Sequence, residues 1–379
     1  DVVVLRRVFM MKEKIEEVYF IRAIACLCVV FIHSLTLTQS NYQLPATTVN
    51  VIFLTKLMIM FATPLFVMLS EFLLSYSYSN RIPKGFWKKR VSYIFIPFLF
   101  IALLYTIDTW LIKDWGMERF VEVYFNKAVL GLWHGYFVLI IFQFYVLHVL
   151  FVKYAHHFKA TWLIIISFVI NGAYLSFFNF FGPGDFPEIG LLWKYSKLPF
   201  LGWIFYFTVA FYAGKHINVF KEGLQRYKHY IYVGVLANIA LLLCVEKFDL
   251  IRLVSSKRPD LLLYTILIFS MLFLFAQKLR KIPSFFMIIS KYSYSIYLLH
   301  LLVMYNLIRF LKDVPIYINM GVYTILLFIA GIGGSLLISY LLNLLPFGAF
   351  LVGQLKKSGA KDKRYDKQRT NEGYASSSY

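Results

Sequence analysis

Apolar residues gather along this chain into ten long runs, near 17–38, 50–76, 91–112, 129–152, 161–179, 199–217, 230–246, 261–277, 292–309 and 320–345. Most are about 20 residues long, the length a helix rising ~1.5 Å per residue needs to cross ~30 Å of hydrocarbon. Two depart from that form: Asn171 interrupts the fifth, and the seventh is short. The pattern predicts an all-α fold, a polytopic integral membrane helical bundle of about ten transmembrane helices with N-terminus and C-terminus cytoplasmic. It divides the chain into a cytoplasmic segment over 1–16, a transmembrane domain over 17–346 and a polar cytoplasmic tail over 347–379. The tail ends in QLKKSGAKDKRYDKQRTNEGYASSSY, a polar, Ser-rich composition that is expected to be disordered.

Composition agrees with the pattern. Of 379 residues, 60% are hydrophobic and 20% aromatic, with a mean hydropathy of +0.67. Ordinary soluble domains are roughly half apolar. The charge looks foreign to a membrane protein at first: 39 Lys and Arg against 19 Asp and Glu, a net +20. Basic residues should concentrate on the cytoplasmic side of a multi-pass protein, and here 27 fall in the segments that ten spans place inside, against 11 outside. Acidic residues divide 8 to 10, leaving Lys56 and Glu71 within spans. The inner surface therefore carries nearly all the excess charge, which is topology and not nucleic-acid binding. Cys26, Cys28 and Cys244 lie in apolar runs without metal-ligand spacing and read as small buried hydrophobes.

An ionisable residue inside a span is a functional candidate by default. In YFIRAIACLCVVFIHS, Arg22 and His33 are eleven residues apart. At ~100° per residue they lie within about 20° of one another on the helix surface, ~16 Å apart along its axis. Both side chains therefore face the same way, Arg22 near the cytoplasmic end and His33 in the outer half. A snorkelling arginine and an interfacial histidine are the bland alternatives. Ser70 and Glu71 fall in the cytoplasmic third of the second run, where Glu71 is expected either to act or simply to pair with Arg22 or Arg90. Lys88, Lys89 and Arg90 introduce the third run, as headgroup contacts or as a phosphate-binding rim. Ser293, Tyr297 and His300 share one face of the ninth run, with His300 about mid-span. Trp133 and Tyr136 open the fourth run as belt aromatics or as part of a site. His134, His156 and His157 read as ordinary polar residues.

Taken together, these pieces resemble the acyltransferase 3 family of ten-span membrane O-acyltransferases, from Tyr19 to about Leu345. The resemblance is carried by the first-helix spacing from Arg22 to His33, by Lys89-Arg90 followed by Pro97, by SYSIYLLH in the ninth run and by LWHGYFVLIIFQFY in the fourth. The second helix departs from the pattern: where many members have Ser-Gly, this chain has Ser70-Glu71. The combination of the fourth and sixth runs is more similar to a Gram-positive branch tied to biofilm poly-N-acetylglucosamine, whose members are regarded as O-succinyltransferases.

The resemblance implies an enzyme of the bacterial cell membrane. It would move an acetyl or succinyl group from a cytoplasmic acyl-CoA or similar thioester to a hydroxyl of an extracytoplasmic polysaccharide. Acyl-CoA is a substrate in this scheme, and no bound cofactor or metal is expected. Arg22, Lys89 and Arg90 would hold the donor's phosphates, because guanidinium forks bind such oxygens bidentately. His33 would be the catalytic base, since a sugar hydroxyl attacks a thioester only as it loses its proton and an imidazole of pKa ~6.5 can accept one at neutral pH. Ser70, Glu71, Trp133, Tyr136, Tyr297 and His300 are supporting candidates. Partners are acyl-CoA, the surface polysaccharide, the lipid bilayer and, as neighbours, a polysaccharide synthase or export protein; nucleic acid is not among them. The rival readings are an exporter of polysaccharide or small anions, which buried Arg, His and Glu would also suit, and a structural partner of a synthase.

Overall fold

The computed structural model describes residues 15–251, 255–313 and 318–355. Expectations for the first fourteen residues and for the tail from Lys356 lie outside the described residues. The helices are α1 (Glu16–Asn41), α2 (Ala46–Ile59), α3 (Ala62–Tyr78), α4 (Phe86–Arg90), α5 (Ile96–Lys113), α6 (Met117–Ala128), α7 (Phe137–Tyr154) and α8 (Ala160–Phe180). They continue with α9 (Leu191–Tyr195), α10 (Ile204–Lys215), α11 (Ile217–Arg226), α12 (Lys228–Lys247), α13 (Leu261–Lys278), α14 (Ser284–Lys312), α15 (Met320–Asn343) and α16 (Gly348–Val352).

Among the described residues nine stretches are long and apolar enough to cross a membrane. They match nine of the ten predicted runs, including the interrupted fifth (α8) and the short seventh (α12). The sixth run forms only the twelve residues of α10. Its side chains Phe205, Tyr206, Phe207, Ala210 and Phe211 are buried. Neighbouring helices rather than lipid cover it, so the thickness of the hydrocarbon sets no minimum on its length. The second run is broken as well, with α2 and α3 meeting at Met60 and Phe61. Pro64 has no N–H to offer the Met60 carbonyl, which accounts for the break.

Helix α1 is the centre of the bundle, packed against α3, α13, α14 and α15. Peripheral helices show the converse: Val169 on α8, Tyr230 and Leu236 on α12, and Ile325 and Ile329 on α15 are exposed apolar side chains. Such residues need no protein partner where lipid tails surround them. The chain does not leave the body after the last span. Helix α16 folds back so that the Ser295 hydroxyl donates to the Val352 carbonyl at 2.7 Å, and residues 348–352 of the segment expected as tail are therefore packed on α14.

Helices α3 and α10 pack closely. A Cβ on Gly214 would stand 2.3 Å from the Phe72 carbonyl oxygen, and the Ser75 hydroxyl donates to the Phe211 carbonyl at 2.6 Å. Small residues at such crossings let backbones approach. Gly214→Leu is expected to cost more than the about 1–3 kcal/mol typical of an overpacked core, because backbone has to move. Gly223→Ala, at a position with open space, should be near neutral. Thermal midpoints of the two detergent-purified variants check the difference.

Candidate active site

Three histidines from three parts of the chain meet inside the bundle. His33 (α1) and His300 (α14) have ring centroids 5.1 Å apart, and His134 lies 5.4 Å from His300 and 6.5 Å from His33. His134 occupies a single turn, His134–Tyr136, that precedes α7. That turn is fixed from two sides. The Tyr297 hydroxyl donates to the His134 carbonyl, and the Trp133 ring folds over Gly135, where a Cβ would stand 2.3 Å from it. Trp133 and Tyr105 pack against the His134 ring at 4.7 and 5.1 Å. His300 Nδ1 pairs with the Ile296 carbonyl at 2.9 Å, while the buried Nε2 atoms of His134 and His300 have no hydrogen-bond partner. The sequence reads His134 as an ordinary polar residue; its ring neighbours His33, Tyr105 and His300 come from α1, α5 and α14, and no spacing along the chain reveals them.

A second cluster forms nearer the Arg22 end of α1, around Tyr145 on α7. The Arg90 guanidinium stands over the Tyr145 and Phe86 rings, 5.2 Å from each centroid. Ser70, Glu71 and Arg22 all lie within reach of the Tyr145 hydroxyl. Glu71 does not pair with Arg22 or Arg90. Its partner is His148, with Oε1 2.6 Å from Nδ1 and both side chains fully buried. Phe86 and Phe211 flank the imidazole. Among the described residues no carboxylate pairs with Arg22 or Arg90. Lys89 stays outside this group and is exposed. Ser293 turns to its own helix, donating to the Ser290 carbonyl.

Arg90 is placed by an irregularity that Pro97 explains. Without an N–H at Pro97 the regular ladder fails, and Val91–Phe95 widens into a π-helical turn. The Ile94 carbonyl then accepts from the Tyr294 hydroxyl. Tyr294 lies within electrostatic reach of Tyr145 on one side and Tyr297 on the other. Tyrosines thus run from the Arg22 cluster to the histidine cluster.

Beyond the histidines, Tyr136 lies beside Ser256 and carries the Lys197 ammonium 4.8 Å above its ring. Burial pushes Lys257 down to about 8, and neighbouring Lys197 adds to the shift; burial lowers Lys197 too. On the other flank Lys127 donates to the Tyr105 carbonyl at 3.1 Å, and burial holds it near about 8. Asp108, paired with Arg309 at 2.6 Å, borders a cleft of about 270 Å³ between α5 and α14. Sequence reading missed His148, Tyr145 and this lysine pair. His148 alone carried a usable signal, sitting one turn after Tyr145 in an apolar run.

A helical bundle with titratable side chains turned inward at two depths is a multi-pass membrane protein with its chemistry inside the bundle. The chain belongs to the acyltransferase 3 family: the family model described as an acyltransferase domain matches residues 15–344. It is 36% identical over 351 residues to a Bacillus subtilis protein named "Putative membrane-bound acyltransferase YfiQ", covering 90% of this chain and 95% of that one. It is 27% identical to proteins of Staphylococcus aureus and Staphylococcus epidermidis named "Probable poly-beta-1,6-N-acetyl-D-glucosamine export protein", over 79% of this chain and 85% or 84% of theirs. No solved structure matches. The protein is a membrane acyltransferase.

The Glu71–His148 pair generates a prediction. Removing one partner of a buried hydrogen-bonded pair leaves the other unsatisfied, at about 1–3 kcal/mol. His148→Ala is expected to lower the thermal midpoint sharply, and the double variant Glu71→Leu/His148→Leu to recover most of the loss. Unfolding of the purified proteins in detergent measures both.

Proposed function

We propose that this protein transfers an acyl group, acetyl or succinyl, from a cytoplasmic acyl-CoA to a hydroxyl of a surface polysaccharide. The observation that carries the reading is the pair of clusters at the two ends of one inward face of α1, bridged by Tyr145, Tyr294 and Tyr297. Arg22 and Arg90, unpaired by carboxylates, suit the phosphates of CoA. Their end of the bundle is the cytoplasmic one in this reading, as the distribution of Lys and Arg suggests. The pantetheine arm is long enough to carry the thioester across the ~16 Å from Arg22 to His33. The acceptor comes from the opposite side, where the cleft beside Asp108 and Tyr305 opens on the helices that bear Tyr105 and His300.

His33 takes the proton of the sugar hydroxyl as its oxygen attacks the thioester carbonyl. The C–O bond forms, the C–S bond breaks, and the departing thiolate takes up a proton to leave as CoA. His134 and His300 offer imidazole nitrogens without hydrogen-bond partners next to the base, and they suit a shared proton and an oriented ring. General-base catalysis of this kind contributes about 10²- to 10⁴-fold.

The export reading draws on the name of the staphylococcal relatives, and mutation separates the two. In cells with matched membrane levels, His33→Ala is expected to lower the O-acyl content of surface polysaccharide by about 10²-fold or more with polymer quantity unchanged. Arg22→Ala should raise the donor concentration needed for half-maximal transfer. Mass spectrometry of the polymer reads the first, and a donor titration in membranes the second. Unchanged ester in His33→Ala removes the base; surface polymer that disappears makes the protein an exporter.

A further inference from the structure

Two lysines beside the histidine cluster have no opposite charge to answer them among the described residues. Lys197 lies over the Tyr136 ring. Lys257 Nζ is 3.5 Å from the Ser196 hydroxyl, and the two ammoniums are within electrostatic reach of one another. No carboxylate pairs with either among the described residues. Like charges half-buried together oppose folding unless something offsets them.

The backbones that carry them are nevertheless held firmly. Tyr174 donates to the Ser196 carbonyl at 2.9 Å, Trp203 to Lys197 at 3.1 Å and Gln143 to Leu198 at 2.8 Å. The Gln143 side-chain oxygen accepts from the Phe200 N–H at 2.9 Å, and Asn179 donates to the Lys257 carbonyl at 2.8 Å. A lysine reaching for lipid headgroups needs no such fixing, and it would point outward. Here Lys197 rests on Tyr136, which lies within electrostatic reach of Tyr297. Tyr297 in turn holds His134. The pair therefore adjoins the reacting end of the bundle, and a bound anion would offset its charge.

Resting on the acyl transfer proposed above, we propose that Lys197 and Lys257 form a carboxylate-binding station that holds one end of a reactant while its ester forms at the histidines. Carboxylate is the anion that reactants bring to this end, since the donor's phosphates stay with the leaving thiol. Its source is either the free carboxyl of a dicarboxylic acyl chain or an acidic sugar of the acceptor.

Membrane vesicles with the full chain, given succinyl-CoA or acetyl-CoA and either a neutral or a uronic-acid-containing oligosaccharide, separate the sources. If the carboxylate is the acyl chain's, Lys197→Gln/Lys257→Gln lowers succinyl transfer by about tenfold or more and leaves acetyl transfer within about twofold, on either acceptor. If it is the acceptor's, the loss follows the acidic oligosaccharide with both donors. Lys197→Arg/Lys257→Arg should retain activity in each case. An unchanged donor and acceptor preference, or an equal loss with all four combinations, overturns the station. A second measurement does not depend on turnover: succinate should raise the thermal midpoint of the purified wild type above that in chloride at equal ionic strength, and should not do so in the Gln pair. No shift in the wild type overturns the station. Absence of any ester from wild-type vesicles, with the succinate shift intact, counts against the transfer reaction instead.

Discussion

Hydrocarbon offers no partner to a polar group, so every charge and every imidazole within the membrane has to be answered from inside the protein. Helix α1 imposes that demand on the rest of the bundle, because Arg22 and His33 stand on one of its faces and both need a protein surround. The helices packed on α1 meet it at two levels: α3 brings Ser70 and Glu71 to the Arg22 end, and α14 brings His300 to the His33 end. The short buried α10 closes the space behind α3, and its glycine allows an approach that no larger residue would permit.

The two levels are answered differently, and the difference matches what each would do. At the Arg22 end the carboxylate that might have neutralised an arginine is bound instead to His148. The guanidinium of Arg90 rests on aromatic faces, where a cation is held without losing its capacity for an anion. At the His33 end imidazoles are packed by aromatic rings and retain unpaired nitrogens. An unsatisfied buried donor or acceptor opposes folding, and several in one place mark a surface shaped for a reactant. The tyrosines between the clusters give an otherwise apolar interior a polar seam.

Much of this was legible in the sequence. Length and hydropathy define nine helices, because a lipid-facing helix must be both long and apolar; α10 escaped the rule since protein covers it. The inward face of α1 followed from helical periodicity alone, as did the shared face of Tyr297 and His300. Partners in space were not legible. Glu71 could be expected to act or to pair with Arg22 or Arg90, and only the packing of α3 on α7 shows that it meets His148. His134 sits in a turn without periodicity, and the lysine pair joins two loops sixty residues apart. Lys89 is a converse case, a basic neighbour of Arg90 that is exposed.

The central claim is that an acyl group passes through the bundle from the Arg22 end to the His33 end. The most direct measurement uses the purified protein in proteoliposomes of known orientation, with isotopically labelled acyl-CoA confined to one face and an oligosaccharide acceptor to the other. Labelled ester should form when the donor is on the Arg22 face and the acceptor on the His33 face, and the label should be lost in His33→Ala. Ester that forms only when donor and acceptor share one face would contradict a path through the membrane.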